Sequence, residues 1–316
     1  MLTILKAGML TTVQDGGRYG WQRYGVPVCG AMDRDALLTA NALAGNPADE
    51  AALELTGAGC TVRFESPNIF ALAGADFSPA LDGIPIETGR AYLAHKGSVL
   101  ALGFARGGLR GILAVAGGFD LPAVMGSRST YVKGGFGGLE GRALRAGDAL
   151  PFRESCLWLP GLAERRAPVW TEEGPIRVVL GPQSDGFSPE GIKAFLSGAY
   201  KVTVKSDRMG YRLEGPAIAY APGKDGNIVS DGVVMGAVQV PSGQPIIMMA
   251  DCQTTGGYAK IAAVITADLP RVAQMAAGQT LRFQAVTQAE AEDILRSRRA
   301  RQQAWQREMD EERIVW

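Results

Sequence analysis

The stretch Ala146-Gly-Asp-Ala-Leu-Pro-Phe152 recurs late in the chain as Ala277-Gly-Gln-Thr-Leu-Arg-Phe283, and both copies share the pattern Ala-Gly-x-x-Leu-x-Phe. A shorter version, Gly97-Ser-Val-Leu100, occurs earlier. An Ala-Gly turn before a strand is common, so the match alone is only suggestive. A chain of 316 residues has the length of about two domains, and each full copy closes one half of it. The repeat and the length together predict two related β-barrels.

Glycine content and short apolar runs also favour a β-rich protein. The chain has 42 glycines, all before residue 279, where a usual content of ~7% would give about half that number. Glycine without a collagen period indicates many turns and bulges between short strands. Alternating and short apolar runs predict strands at 61–65, 68–74, 92–102 (two strands around a turn), 111–118, 176–180, 201–205, 212–214, 246–250 and 281–286.

Helices are few, and each predicted helix has a recognisable start signal. Asp33 caps a helix that stops at Gly45, and Ser188 caps another with proline at its first position. A third is predicted at 268–277. The tail from Thr287 to about residue 312 opens with the capping box Thr287-Gln-Ala-Glu290, and its charge pattern suits a solvated helix packed sparingly on the body.

The expected domains are an N-terminal barrel at 1–160, a second barrel at 175–286 and the helical tail at 287–316. The join is placed between 153 and 175, where proline, glycine and charged residues cluster. The predicted fold class is therefore mainly β with few helices.

Charge and residue counts exclude several classes of protein. Lys+Arg and Asp+Glu are both 32, so the chain lacks the basic excess of a nucleic-acid protein. No apolar run approaches the ~18 residues of a membrane span, and no secretory signal is visible. The four cysteines form no Cys-x-x-Cys and indicate a cytoplasmic protein with reduced thiols. His95 is the only histidine, in an apparent turn, so we expect neither a metal site nor histidine-based acyl transfer.

Two glycine-flanked segments in the first half carry candidate site residues. Asp15 and Arg18 bracket a Gly-Gly pair, where amides and a guanidinium could hold an anion; a structural Asp–Arg pair is the alternative. Arg128, with Ser129 and Thr130, precedes a run of five residues that holds four glycines and resembles an oxyanion cradle; a barrel turn is the alternative.

Two further segments lie in the second half. Asp207, Arg208 and Arg212 follow a predicted strand, where alternating charges on an exposed hairpin are the plain alternative. The other segment brings amide and hydroxyl groups between apolar strands: Gln239, Gln253, Thr254 and Thr255. Cys252 adjoins them, but no histidine lies nearby in sequence to activate it, so a buried structural thiol is the better interpretation.

These residues suit binding and polarising a carboxylate, carbonyl or phosphate. We assign catalytic roles to Asp15, Arg128 and Asp207. The residues assigned to substrate or anion binding are Arg18, Ser129, Thr130, Arg208, Arg212, Gln239, Gln253, Thr254 and Thr255. The hypothesis is that the charged loop residues of both halves converge with Thr254 and Thr255 on one cleft.

The ordered motifs resemble the biotin-dependent carboxyltransferase family, which includes the C subunit of 5-oxoprolinase, allophanate hydrolase subunit 2 and Kip-antagonist proteins. The resemblance covers about residues 1–286. It is carried by Thr11-Thr-Val-Gln-Asp-Gly-Gly-Arg-Tyr-Gly20, Gly25-Val-Pro27, Gly30-Ala-Met-Asp33, Ala40-Asn41, Gly45-Asn46, Leu53-Glu54, Gly126-Ser-Arg-Ser-Thr-Tyr131, Gly181-Pro-Gln183, Ser206-Asp-Arg-Met-Gly-Tyr-Arg-Leu-Glu-Gly215 and Thr254-Thr-Gly-Gly-Tyr258.

The resemblance implies cyclophilin-like β-barrel domains and the role of one subunit in a larger enzyme. With the A and B subunits, the latter of the Kip-inhibitor type, such a chain forms an ATP-dependent 5-oxoprolinase that opens pyroglutamate to glutamate. Alternatives implied by the same family are a regulatory protein that antagonises a kinase inhibitor and a carboxyltransferase subunit of a urea carboxylase-like system. The chain has no Walker motif, so ATP is expected mainly in the partner, and it has no Ala-Met-Lys-Met biotin-attachment signature.

Overall fold

The computed structural model describes residues 1–168 and 172–311. Strands account for 33% and helices for 19%, which confirms the predicted mainly β class. The chain divides into two compact units, the first made of Met1–Tyr19, Cys29–Trp170 and Arg301–Trp316, and the second of Gly20–Val28 and Thr171–Ala300.

In the part of the first unit that the structure describes, eleven strands form two sheets. The sheet orders are β11-β1-β4-β9-β6-β7 and β2-β3-β10-β5-β8, and every strand pair in them is antiparallel. The strands are β1 Leu2–Lys6, β2 Leu10–Gln14, β3 Ala52–Thr56, β4 Thr61–Phe64, β5 Asn68–Asp76, β6 Ala80–Leu81, β7 Ile84–Pro85, β8 Ala91–Ala94, β9 Val99–Ala101, β10 Arg106–Val115 and β11 Ala149–Leu150.

The central strands of this unit are buried on both faces. In β10, Leu113 and Val115 belong to the core shared with the other sheet, while Ile112 and Ala114 face the cluster around the first helix, α1 Arg34–Ala44. Burial on both faces explains why β10 reads as a continuous apolar run and not as an alternating one. The Asp33 carboxylate accepts from the Ala36 amide at 2.9 Å, so the predicted cap of α1 is confirmed.

Among its described residues, the second unit contains an eight-stranded sheet, a separate two-stranded ribbon, the helices α2 and α3, and the part of α4 up to residue 300. The sheet order is β20-β13-β14-β17-β16-β19-β12-β21, and the ribbon is β15-β18. The elements are β12 Ile176–Leu180, α2 Pro189–Ser197, β13 Tyr200–Val202, β14 Gly210–Glu214, β15 Asn227–Gly232, β16 Ala237–Gln239, β17 Ile246–Met248, β18 Thr255–Tyr258, β19 Lys260–Val264, α3 Leu269–Ala273, β20 Thr280–Leu281, β21 Phe283–Ala285 and α4 Gln288–Glu311.

The two edge strands of the large sheet are consecutive in sequence. Only Arg282 separates β20 at one edge from β21 at the other, so the sheet curls into a nearly closed barrel. Phe283 of β21 stacks on Phe195 of α2, with ring centroids 4.4 Å apart. The Ser188 hydroxyl accepts from the Gly191 amide, which confirms the predicted cap of α2.

The repeated sequence pattern corresponds to the same turn in both units. Gly147 and Gly278 adopt φ of 92° and 94°, which glycine reaches without strain. The Gly147 amide donates to the Ile4 carbonyl of the first strand, β1, and the Gly278 amide donates to the Val202 carbonyl of β13, both at 2.8 Å. The next strand then pairs antiparallel, β11 with β1 and β20 with β13.

Two local expectations need correction, and a third is confirmed. The helix predicted at 268–277 is limited to α3, Leu269–Ala273, and the Asp268 carboxylate before it accepts bonds from Arg177. The run 92–102 forms two strands around a turn, as predicted, and these strands, β8 and β9, belong to different sheets. The segment at 281–286 is two strands, β20 and β21, because the chain turns between them at Arg282.

The C-terminal helix packs more firmly than a solvated tail. Its buried side chains recur every three or four residues, at Arg298, Gln302, Trp305 and Met309. Within the first unit, Trp305 and Met309 join the cluster around α1, and the buried Arg165 donates to the Met309 carbonyl at 2.9 Å. The predicted capping box is confirmed by reciprocal bonds between Thr287 and Glu290.

The segment between 160 and 168 packs within the first unit. It is anchored by the fully buried Arg165, whose guanidinium also donates to the Ala42 carbonyl at the end of α1 at 3.0 Å. The expected domain bounds, with a join between 153 and 175, stay a prediction.

Candidate functional site

In the first unit, Asp15 is the hub of the predicted loop cluster. It follows β2 and is 8% exposed. Its carboxylate accepts from the Ser127 and Ser129 hydroxyls and from the amides of Gly17 and Arg128. Four donors saturate the carboxylate with bonds that fix two loops to each other. Asp15 therefore holds the loop in this structure.

Arg18 is fully buried beneath the same loop. Its Nε donates to the Val124 carbonyl at 2.8 Å, and Nη2 donates to the Ser129 carbonyl at 2.9 Å. The guanidinium carbon lies 4.9 Å from the centroid of the Phe136 ring, a cation–π contact. These contacts direct the arginine to carbonyls and a ring of its own unit, not toward solvent.

Ser129 and Thr130 are also fully buried. The Thr130 hydroxyl donates to the Val13 carbonyl at 3.0 Å, which ties the loop to β2. A Cβ on Gly138 would lie 2.0 Å from the Thr130 hydroxyl oxygen, so glycine is required there. The structure thus brings Asp15, Arg18, Ser129 and Thr130 together as one buried support.

Arg128 is the half-buried member of this group. Its amide is held by Asp15, and its Nε donates to the Leu121 carbonyl at 2.7 Å. The side chain is anchored at Nε, so it is pre-oriented, and a guanidinium can still hold an anion through its terminal nitrogens. Of the candidate residues in the first unit, Arg128 is the one that is only half-buried, and its role in binding a ligand stays a prediction.

The glycine-rich run after Arg128 is not a free phosphate cradle. The amides of Gly134 and Gly135 donate to the Tyr131 carbonyl, and the Gly138 amide donates to the Arg128 carbonyl. Amides that bond within their own loop cannot also surround a triphosphate. This segment therefore does not fit a nucleotide in the way that a P-loop does.

In the second unit, Arg208 forms a buried ion pair with Asp251. Arg208 Nε and Nη2 lie 2.9 and 2.8 Å from the two carboxylate oxygens. Asp207 is exposed, and its Oδ1 accepts from the amides of Met209 and Gly210 in a local turn. Arg212 is exposed on β14. Of Asp207, Arg208 and Arg212, Arg208 is the one whose side chain is held in a buried ion pair.

The predicted amide and hydroxyl residues lie on or beside the ribbon. Gln239 is 2% exposed, and its Nε2 donates to the Tyr258 carbonyl of β18 at 3.4 Å. Gln253 and Thr255 are exposed, and Thr254 is half-buried just before β18. Gln239 is the buried member of this set.

Sequence reasoning missed a polar cluster of Lys260, Asp231 and Gln183 in the same unit. Lys260 opens β19 and is 6% exposed, and its Nζ lies 2.8 Å from Asp231 Oδ2 on β15. The Lys260 ammonium holds the pKa of the Asp231 carboxyl below its ordinary value. The motif Gly181-Pro-Gln183 was available as a signal, but its role as a partner of Lys260 was not visible in sequence.

Cys252 and His95 behave as the sequence suggested. Burial raises the pKa of the Cys252 thiol to about 12, which makes it a poor nucleophile at neutral pH. His95 is exposed at a turn. Among residues 1–168 and 172–311, no cluster of three or more potential metal ligands occurs. None of the helices described there is long and apolar enough to cross a bilayer.

A cavity of about 450 Å³ in the second unit is lined by none of these residues. Its lining includes Arg271 and Arg282, but their guanidinium groups donate to the carbonyls of Pro175 and Ser197. The candidate residues thus fall into one group per unit, and their convergence on a single cleft stays a prediction.

The sequence matches the family described as "Carboxyltransferase domain, subdomain A and B" over residues 24–285. It is 42% identical to the C subunit of 5-oxoprolinase from Escherichia coli (strain K12), over 100% of this chain and 98% of that protein. It is 37% identical to the C subunit of 5-oxoprolinase from Haemophilus influenzae, over 94% of each chain. The crystal structure of the K. lactis urea amidolyase superposes with a TM-score of 0.90 at 31% identity, over 96% of this chain and 20% of that one.

Proposed function

This chain belongs to the carboxyltransferase domain family, subdomains A and B, and from that membership we propose that it is the C subunit of a 5-oxoprolinase. The observation that carries the proposal is the 42% identity with the C subunit of a 5-oxoprolinase over 100% of this chain and 98% of that protein. Because the alignment covers nearly all of both proteins, the proposal concerns the whole chain and not one part of it.

The proposed reaction is the ATP-dependent opening of the lactam of 5-oxoproline to give glutamate. The amide C–N bond breaks, water supplies the new carboxylate oxygen, and the ring nitrogen becomes the amine. An unactivated amide needs groups that hold the substrate carboxylate and stabilise negative charge on the carbonyl oxygen. Arg128 suits the first task, because its amide and Nε are anchored while the side chain remains half-buried.

We assign supporting roles to the buried members of the same loop. Asp15, Arg18, Ser129 and Thr130 position Arg128, because their bonds link the loop to β2. In the second unit, Asp207, Arg212, Gln253, Thr254 and Thr255 are exposed or half-buried and are assigned to a ligand or partner. Arg208 and Gln239 are buried and bonded to Asp251 and Tyr258, so we assign them supporting roles.

The proposed assembly, placed in the cytoplasm, includes the A and B subunits of 5-oxoprolinase, the second of which resembles Kip inhibitors. We assign ATP mainly to a partner, since the amides of Gly134, Gly135 and Gly138 in the glycine-rich loop donate to carbonyls of the same loop. Four scattered cysteines without a Cys-x-x-Cys spacing agree with a reducing compartment.

The test is reconstitution of the three full-length proteins, with release of glutamate from 5-oxoproline measured with and without ATP. We expect turnover only when all three proteins and ATP are present, and none from this chain alone. Tight binding to the B subunit without turnover by the complete mixture would instead favour a regulatory protein that antagonises a kinase inhibitor.

A second candidate function is the carboxyltransferase part of a urea carboxylase-like system. The TM-score of 0.90 to the K. lactis urea amidolyase favours it, although this chain spans 20% of that protein. Carboxyl transfer from a biotinylated carrier protein to urea, without the A and B subunits of 5-oxoprolinase, would distinguish it from the leading proposal.

A further inference from the structure

Lys260 is a buried cation with unused hydrogen-bonding capacity. An ammonium group carries three donors. Among the residues that the structure describes, the Lys260 side-chain nitrogen donates to one acceptor, Asp231 Oδ2, at 2.8 Å. The Lys260 side chain is 8% exposed while that of Asp231 is 56% exposed, so the pair runs from the interior of the second unit to its surface.

The neighbouring Gln183 carboxamide contacts both residues, although on Lys260 it bonds the backbone amide and not the ammonium. Gln183 Oε1 accepts from the Lys260 backbone amide at 3.2 Å, and Gln183 Nε2 lies 3.5 Å from Asp231 Oδ2. One carboxamide therefore spans the backbone N–H of Lys260 and the carboxylate of Asp231, and the remaining donors of the ammonium are not used by it. A carboxamide does this because its C=O and one of its N–H groups lie on the same edge.

The ribbon leaves room beside the carboxylate. A Cβ at Gly232, next to Asp231, would meet no atom within 4 Å. The Gly232 amide already donates to Asp231 Oδ1 at 2.7 Å, which fixes the carboxylate on the ribbon. The open position at Gly232 and the 56% exposure of the Asp231 side chain leave this carboxylate accessible from solvent.

We propose that Lys260 and Asp231 form a lactam subsite, in which the Lys260 ammonium donates to the ring carbonyl oxygen and the Asp231 carboxylate accepts from the ring N–H. The proposal rests on the proposed function and names the substrate group that the second unit binds, which is the lactam of 5-oxoproline. A five-membered lactam is held in the cis amide form, so its C=O and N–H share one edge. An ordinary secondary amide is trans and directs the two groups apart, so the pair selects lactams against peptides.

The ammonium also suits the reaction, since it lies where negative charge grows on the carbonyl oxygen during attack by water. A preformed cation in a water-poor position stabilises such charge more strongly than one in solvent. Lys260 thereby binds the carbonyl oxygen and polarises it.

The first test uses the isolated full chain and NMR signals of the Lys260 and Gly232 backbone amides. We expect 5-oxoproline and 2-pyrrolidinone, a lactam without a carboxylate, to shift both signals. N-acetylglycine, which has a carboxylate and a trans amide, should leave them in place. Equal shifts with N-acetylglycine, or no shift with either lactam, would overturn the lactam subsite.

The second test uses Lys260→Met and Asp231→Asn, with Lys224→Met as the control at an exposed lysine of the same unit. In the three-protein mixture, we expect kcat/KM to fall about 100-fold for the first two variants and to stay unchanged for the control. Lys260→Arg keeps the charge and should bind lactams more weakly without unfolding. Retained thermal unfolding midpoints separate these effects from loss of fold.

The two proposals fail in different ways. Wild-type turnover by Lys260→Met would remove the subsite and leave the 5-oxoprolinase assignment standing. Absence of turnover by the wild-type mixture would remove the assignment, and the NMR experiment would still decide whether the chain binds lactams.

Discussion

Arg208 and Asp251 form a two-bond ion pair inside the second unit, with Arg208 Nε and Nη2 at 2.9 and 2.8 Å from the two carboxylate oxygens. The Asp251 amide also donates to the Arg208 carbonyl at 2.9 Å, so side chain and backbone link the same two loops. Their side chains are 7% and 9% exposed. Removing one charge from such a pair leaves the other buried and unpaired.

We therefore predict that Arg208→Met lowers the free energy of unfolding by about 3–5 kcal/mol. Urea denaturation followed by tryptophan fluorescence measures it. The double variant Arg208→Met/Asp251→Leu should recover most of the loss, because no uncompensated charge remains. A double variant as unstable as the single one would show that the cost comes from packing and not from the orphaned carboxylate.

Arg128 should be a functional residue and Asp15 a structural one, although they are in direct contact. Arg128→Ala is expected to reduce kcat/KM for 5-oxoproline about 10- to 100-fold in the three-protein mixture. Its unfolding midpoint should hardly change, because the side chain is half-buried in a loop. Steady-state kinetics and thermal unfolding are the two measurements.

Asp15→Asn is the matched comparison for Arg128→Ala. Its carboxylate accepts bonds from Ser127, Ser129 and two backbone amides, so we expect a clear loss of stability together with activity. Wild-type turnover by Arg128→Ala would remove that arginine from the site.

Trp305 should anchor the C-terminal helix, in contrast to the sparse packing that its charge pattern suggested. It is 7% exposed in the cluster around α1, and its indole Nε1 donates to the Arg166 carbonyl at 3.3 Å. Trp305→Ala is expected to cost about 3–5 kcal/mol. Trp158, 73% exposed, is the control, and Trp158→Ala should stay within about 0.5 kcal/mol of the wild type.

Urea unfolding of both tryptophan variants measures these differences, and truncation after Val286 should destabilise the first unit by at least as much as Trp305→Ala. A truncated chain with wild-type stability would instead support the loosely packed tail that the charge pattern predicts.

Local signals in the sequence were sufficient wherever one turn of chain decides the structure. The caps at Asp33 and Ser188 and the turn at Gly147 and Gly278 depend on neighbouring residues, and all of them could be predicted. The fate of Arg18 could not, because the carbonyls that bind it lie in the loop around Ser127, far along the chain. The local sequence around a glycine-flanked arginine is the same whether its side chain faces a ligand or its own loop.

The Lys260 cluster was missed for a related reason. In sequence, Lys260 is one charge at the start of an apolar strand, and its partner Asp231 belongs to a ribbon whose pairing no local pattern specifies. Only the fold shows that the lysine is buried and that Gln183 lies against both residues. The buried face of α4 could not be predicted from sequence either, since two of its buried positions are occupied by the polar residues Arg298 and Gln302.

The last prediction concerns alkaline pH and two buried thiols. Burial raises the pKa values of Cys60 and Cys252 to about 12, whereas the pKa of a thiol in the unfolded chain lies near its ordinary value of 9.0. Above pH 9 the unfolded chain releases these protons and the folded chain keeps them, so stability is complete below pH 9 and falls as pH rises toward 12. Each thiol should contribute a slope of about −1.4 kcal/mol per pH unit once its unfolded form is ionised. Urea unfolding at intervals between pH 7.5 and 10 measures the slope, which Cys252→Ala should reduce. A Cys252→Ala slope equal to that of the wild type would show that this thiol ionises alike in the folded and unfolded chains.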